Sequence, residues 1–118
     1  MDTDSNSSPA SDPVALVRRY YEALDEHAYD DLEAVLSPEF VQHRPDRTFD
    51  DRESFVRFMR EDRPNPETSH ELTAVVDGSE LVAARGRVSD SDSTVLFEFA
   101  DFFAIEDGRI VRLETYSR

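Results

Sequence analysis

The sequence predicts an α+β domain in which three N-terminal helices pack on one face of a curved antiparallel sheet. Three observations predict it. Apolar residues in the first half recur at helical spacing, between residues that start and stop helices. Apolar and polar residues in the second half alternate in runs long enough for strands. Asp-Gly pairs at 77–78 and 107–108, and a polar cluster at 90–93, punctuate those runs as turns do.

Taken in order, residues 1–12 (MDTDSNSSPASD) hold nothing that could join a core. They are expected to form a disordered acidic tail, with the domain over 13–118. Asp12 followed by Pro13 is a helix start, an N-cap acceptor with Pro at the first helical position. Val14, Val17, Tyr21 and Leu24 then share one face, with Leu16 and Tyr20 beside it, and the helix should end near residues 25–27. A short second helix is expected after Asp30, turning Leu32, Val35 and Leu36 inward and stopping before Pro38. Residues 40–44, bounded by Pro38 and Pro45, suit a short strand or an extended segment. Asp50 with Glu53 reads as the start of a third helix, striped by Phe55, Phe58 and Met59 and ended by Pro64 and Pro66. Strands are expected over 69–76, 80–89, 94–106 and 109–117, as a meander.

Composition excludes several functions. The 118 residues carry 27 acidic and 13 basic side chains, a formal charge of -14. Binding a phosphate backbone needs a Lys/Arg footprint, so neither nucleic acid nor an anionic membrane is an expected partner. There is no cysteine, hence no disulfide and no thiolate chemistry. No apolar stretch is long enough for a membrane-spanning helix and the N-terminus has no secretory signal pattern, so a cytoplasmic location is expected. Every basic residue is Arg. A surface this acidic and free of Lys points to a salt-in halophile, where strong electrolyte screens self-repulsion. A GC-rich genome that favours Arg codons, or an acidic mimic of nucleic acid, would share the composition. Loss of the fold below about molar KCl fits only the halophile.

The stretch that carries chemistry is residues 94–106. Strand alternation puts Val95, Phe97, Phe99, Asp101, Phe103 and Ile105 on one face, a carboxylate among large apolar residues. Such an acid loses hydration, its pKa rises, and it can donate a hydrogen bond or a proton near neutral pH. A β-bulge would instead turn Asp101 to solvent, and Arg85 or Arg87 could pair with it. His43, in the FVQHRP segment, could reach the same cavity as a base or be an ordinary half-buried histidine. His27 reads as a solvated loop residue, and His70 as structural or exposed. Tyr20 and Tyr21 are adjacent, so one can face the sheet while the other lies at its border; each could equally be a packed residue with a satisfied hydroxyl. No metal-ligand spacing, nucleophile elbow or phosphate-cradling glycine loop is present.

Two segments, VALVRRYYEALDEHAYDDLEAVLSPEFVQHRP and FADFFAIEDGRIVRLETY, resemble the nuclear transport factor 2-like (NTF2-like) superfamily. Within it the chain is in particular similar to steroid delta-isomerases and SnoaL-like polyketide cyclases, over about residues 13–117. The resemblance implies a cone-shaped α+β barrel with a pocket at its open end, and a homodimer. It matches Tyr20 to the tyrosine that donates to the substrate oxygen in the isomerases. Asp101 matches the strand acid that stays neutral beside that tyrosine, or acts as acid/base in the cyclases. Where the isomerases have an aspartate, this chain has Gln42-His43-Arg44-Pro45, and His43 matches the cyclase-type segment.

The expected function is therefore acid/base isomerisation or cyclisation of a small hydrophobic carbonyl compound, with no cofactor and no metal. His43 would remove a proton, and Asp101 and Tyr20 would hydrogen-bond the enolate oxygen. Phe55, Phe58, Phe97, Phe99, Phe103 and Val17 are expected to line the pocket, and Arg44 or Arg85 could hold a substrate carboxylate. The rival is a non-catalytic ligand-binding or dimerisation module on the same fold.

Overall fold

The computed structural model describes residues 12–78 and 80–118. The expected acidic tail lies outside the described residues, apart from Asp12. That residue caps α1 (Pro13–Asp25): its Oδ1 accepts the N–H of Val14 at 3.0 Å and of Ala15 at 3.3 Å. Leu16, Val17, Tyr20, Tyr21, Ala23 and Leu24 are the buried face of the helix. The helix ends with His27 in the left-handed region (φ 59°). There the Ala28 N–H bonds the Ala23 carbonyl and the His27 N–H bonds the Leu24 carbonyl, satisfying the last carbonyls.

Helix α2 (Tyr29–Val35) starts one residue before Asp30, which falls in the first turn with Asp31, where a negative charge favours the helix dipole. Leu36 does not end this helix but begins β1 (Leu36–His43), so the strand is longer than expected. Pro38 is tolerated because pairing with the neighbouring strand breaks between Leu36 and Val41. After β2 (Thr48–Phe49), Asp51 rather than Asp50 caps α3 (Arg52–Arg57), because its carboxylate reaches the Ser54 N–H at 2.7 Å. A π-helical turn, Phe58–Asp62, continues α3 and carries Phe58 and Met59.

The meander forms as expected: β3 (Ser69–Asp77), β4 (Leu81–Ser89), β5 (Val95–Glu106) and β6 (Arg109–Ser117). Asp107 (φ 54°) and Gly108 (φ 76°) turn between β5 and β6 with two positive φ values, the geometry that matches strand twist. Gly86 is required by close approach, since a Cβ there would lie 2.2 Å from the Glu71 carbonyl oxygen, beside the register shift of β3. The strand order is β2-β1-β6-β5-β4-β3, and β1 runs parallel to β6. The sheet is therefore mixed, not wholly antiparallel. Strand β1 meets β6 across nearly the whole intervening chain, and only such a long connection permits a parallel neighbour.

The helices cover one face of the sheet. Val17, Leu32, Leu36, Phe40, Phe55, Phe103, Ile110 and Leu113 are fully buried between the layers. Among the described residues no helix is long and apolar enough to cross a membrane.

Candidate functional site

The alternation of β5 holds through its centre. Asp101 faces the helices with Phe99 and Phe103 and is 5 % exposed. It is paired with neither Arg85 nor Arg87. Arg87 Nε donates to Glu71 at 2.7 Å and Arg85 Nε to the Thr73 hydroxyl at 3.4 Å, among the exposed contacts of β3 and β4. Asp101 instead accepts two short hydrogen bonds. The Tyr21 hydroxyl donates to Oδ2 at 2.5 Å, and the Thr115 hydroxyl, opposite on β6, donates to Oδ1 at 2.6 Å. Burial pushes the Asp101 carboxyl above its ordinary value; the Thr115 and Tyr21 hydrogen bonds, and the fields of His70 and Arg44, pull the other way.

A cavity of about 580 Å³ opens beside this cluster. Its wall includes Tyr20, Gln42, His70 and Thr115 among apolar side chains. Asp101 itself is not on the wall; Thr115 stands between it and the cavity. Tyr20 is buried against Tyr21, Phe55 and Phe103, yet its hydroxyl makes no hydrogen bond to another described residue. Burial, and next the Asp101 charge, hold the Tyr20 hydroxyl well above its ordinary pKa, so it stays a proton donor. The sequence reading paired Asp101 with Tyr20. The rotation of α1 gives that contact to Tyr21, whose hydroxyl pKa is also raised, chiefly by burial.

The histidines exchange roles. His43 is exposed, with Nδ1 3.4 Å from the Thr48 hydroxyl, and is not on the cavity wall. Phe40 and Gln42 are buried along β1, so the residue after Gln42 faces outward. That signal was present in the sequence, because a buried Phe40 fixes the parity of the strand. His70 is the histidine that reaches the cavity. Its Nδ1 lies 2.6 Å from Asp25 Oδ1, and its backbone N–H donates to Asp25 Oδ2 at 3.0 Å. Asp25 accepting from Nδ1–H fixes the tautomer and leaves Nε2 as the free ring nitrogen. His27 is exposed, stacks on Tyr29 and has its Nε2 2.7 Å from the Pro66 carbonyl oxygen.

Of the expected lining, Phe58, Phe97 and Phe99 are on the wall. Val17, Phe55 and Phe103 are not; they are fully buried, because the helices close over that part of the sheet. Gln42, 3 % exposed, was not foreseen as a site residue. Its Nε2 donates to Thr115 at 2.9 Å while its buried Oε1 has no partner among the described residues. A hydrogen-bonded row thus runs Gln42–Thr115–Asp101–Tyr21.

The SnoaL-like domain profile matches residues 17–113. No curated protein matches the chain. Among solved structures, an NTF2-like protein of unknown function from Cytophaga hutchinsonii superposes with a TM-score of 0.80 at 14 % identity, covering 100 % of this chain and 95 % of that one. A proposed ketosteroid isomerase from Kribbella flavida gives 0.74 at 19 % identity, over 88 % of this chain and 76 % of that one. IdmH, a proposed polyketide cyclase from Streptomyces antibioticus, gives 0.74 at 20 % identity, over 89 % and 91 %. At these identities the likeness shows the shared fold.

Proposed function

The chain belongs to the SnoaL-like domain family, and on that premise we propose that its cavity isomerises or cyclises a hydrophobic carbonyl compound by acid/base chemistry. The observation that carries this reading is an oriented base and an acid on one cavity wall: His70 held by Asp25, and the Tyr20 hydroxyl, which has no partner among the described residues. His70 Nε2 takes a proton from the carbon next to the carbonyl. The Tyr20 hydroxyl hydrogen-bonds the oxygen as negative charge develops on it. The imidazolium then returns the proton to another carbon, giving the isomer. Alternatively the enolate carbon attacks a second carbonyl within the molecule, and the new alkoxide takes the proton.

Asp101 acts through Thr115. When Asp101 is ionised, Thr115 spends its single proton on the carboxylate. When Asp101 is protonated it can donate to the Thr115 oxygen, which frees the threonine proton for the substrate oxygen. This replaces the direct roles expected of Asp101 and His43.

The test is exchange of α-protons of unsaturated ketones in deuterium oxide, followed by NMR. His70→Gln should slow exchange by about 100-fold or more, and Tyr20→Phe by a comparable factor. Unchanged exchange in the double variant would eliminate the mechanism. A second reading, a binding module without turnover, is favoured by the withdrawal of Asp101 from the wall; it predicts ligand retention with no exchange above buffer. We also read the protein as a homodimer. Exposed Val76 and Leu81, neighbours at one end of β3 and β4, support it, and light scattering measures it.

A further inference from the structure

The cavity wall also carries two guanidiniums. Arg44 follows β1 and Arg63 follows the π-helical turn, and both belong to the lining. Both lie close enough to Tyr20 for their charges to act on its hydroxyl. Most guanidiniums of this acidic chain face carboxylates: Arg19 meets Glu22, Glu26 and Asp31, Arg87 meets Glu71, and Arg118 meets Glu98. Arg63 meets none among the described residues. It is anchored by one nitrogen, Nη2, which donates to the Leu24 carbonyl at 3.2 Å and the Tyr29 hydroxyl at 3.0 Å. Its Nε is buried without an acceptor among the described residues. Arg44 lies over the Phe58 ring at 5.8 Å and touches a carboxylate by one edge, Nε to Asp46 at 3.3 Å. Asp46 is mostly exposed, so the pair is weak.

We propose that the cavity takes an amphiphilic carboxylate, its acid group held by Arg63 and Arg44 and its apolar body lying on Phe58, Met59, Phe97 and Phe99. The proposal rests on the reading of this cavity as the substrate site and adds the substrate class. Arg44, whose only carboxylate contact among the described residues is through Nε, can offer both Nη groups as two parallel N–H bonds, and Arg63, with Nη2 committed, adds a charged N–H from Nη1. Three carboxylates oppose them: Asp46 offsets part of Arg44, Asp25 is tied to His70, and Asp101 lies behind Thr115. An overall charge of -14 repels an incoming anion at long range. In about 1 M salt the Debye length is ~3 Å, so that repulsion fades while direct contacts persist.

The test is calorimetric titration in about 1 M KCl with 4-phenylbutyrate and with 4-phenylbutan-1-ol, which share an apolar body. The acid should bind roughly 10-fold or more tightly than the alcohol. Arg63→Met should remove most of that preference, by weakening acid binding more than alcohol binding. Arg44→Met, which also loses a guanidinium already shared with Asp46, should reduce it in the same direction, and circular dichroism verifies that each variant is folded. Equal affinity for the two probes, binding of neither, or a preference that survives both substitutions overturns the proposal. Loss of the preference with α-proton exchange intact defeats this inference alone. Tight acid binding without exchange defeats the catalytic reading alone.

Discussion

Phe103 and Phe97 lie on the same face of β5 and meet opposite surroundings. Phe103 is fully buried beneath α1, with Tyr20 and Tyr21 against its ring. Phe97 is 42 % exposed at the cavity. The helices are too short to cover the whole strand, so one end is filled core and the other is open pocket. Asp101 sits at the junction. A carboxylate deeper in would find only apolar neighbours, and one further out would be hydrated and ordinary. At the junction it is dry yet within reach of two hydroxyls, the arrangement that lets a buried acid persist.

The largest effect that would break this contrast is a truncation at each end. Phe103→Ala should cost about 3–5 kcal/mol in chemical denaturation, since a fully buried ring leaves a cavity. Phe97→Ala should stay within about 1 kcal/mol and instead weaken binding of aryl probes. Equal costs would mean the open end is closed in solution.

A smaller difference should separate the two tyrosines. Tyr21→Phe removes a donor from a buried carboxylate and should cost about 1–3 kcal/mol. Tyr20→Phe removes a hydroxyl with no partner among the described residues, so stability should change by less than about 0.5 kcal/mol while exchange falls. Denaturation and α-proton exchange on the same two variants check both halves.

The smallest effect is in the pH dependence of stability. Burial raises the Asp101 carboxyl above its unfolded value of 3.8. A group raised in this way favours the fold fully below its unfolded pKa and loses that contribution as pH climbs through its folded pKa. The wild type should therefore lose stability relative to Asp101→Asn as pH rises from 3.8 into the raised range. Parallel denaturation curves for the two proteins across that window would show a hydrated carboxyl.

Much of the fold was legible because its signals are local. Helix spacing, caps and Asp-Gly turns located nearly every element, and parity along β5 put Asp101 on the inner face. Helix rotation had to be fixed by distant partners, whereas strand parity was present in the sequence. Adjacent residues on a helix point about 100° apart, so only the docking of α1 decides which tyrosine meets Asp101. The parity of β1, readable from Phe40, excludes His43, and the parity of β3 puts His70 with Leu72 on the half-buried side. The capping shift from Asp50 to Asp51 is a one-residue matter of reach.

Sequence alone determined an acidic, cysteine-free α+β chain with one carboxylate set among phenylalanines, because composition, periodicity and turn chemistry are properties of neighbours along the chain. Tertiary structure decided that β1 runs parallel to β6, that Tyr21 and Thr115 hold Asp101, and that Tyr20, His70 and two arginines face the cavity. Those pairings join residues far apart in the chain, and no local pattern encodes the helix rotation and strand register that bring them together.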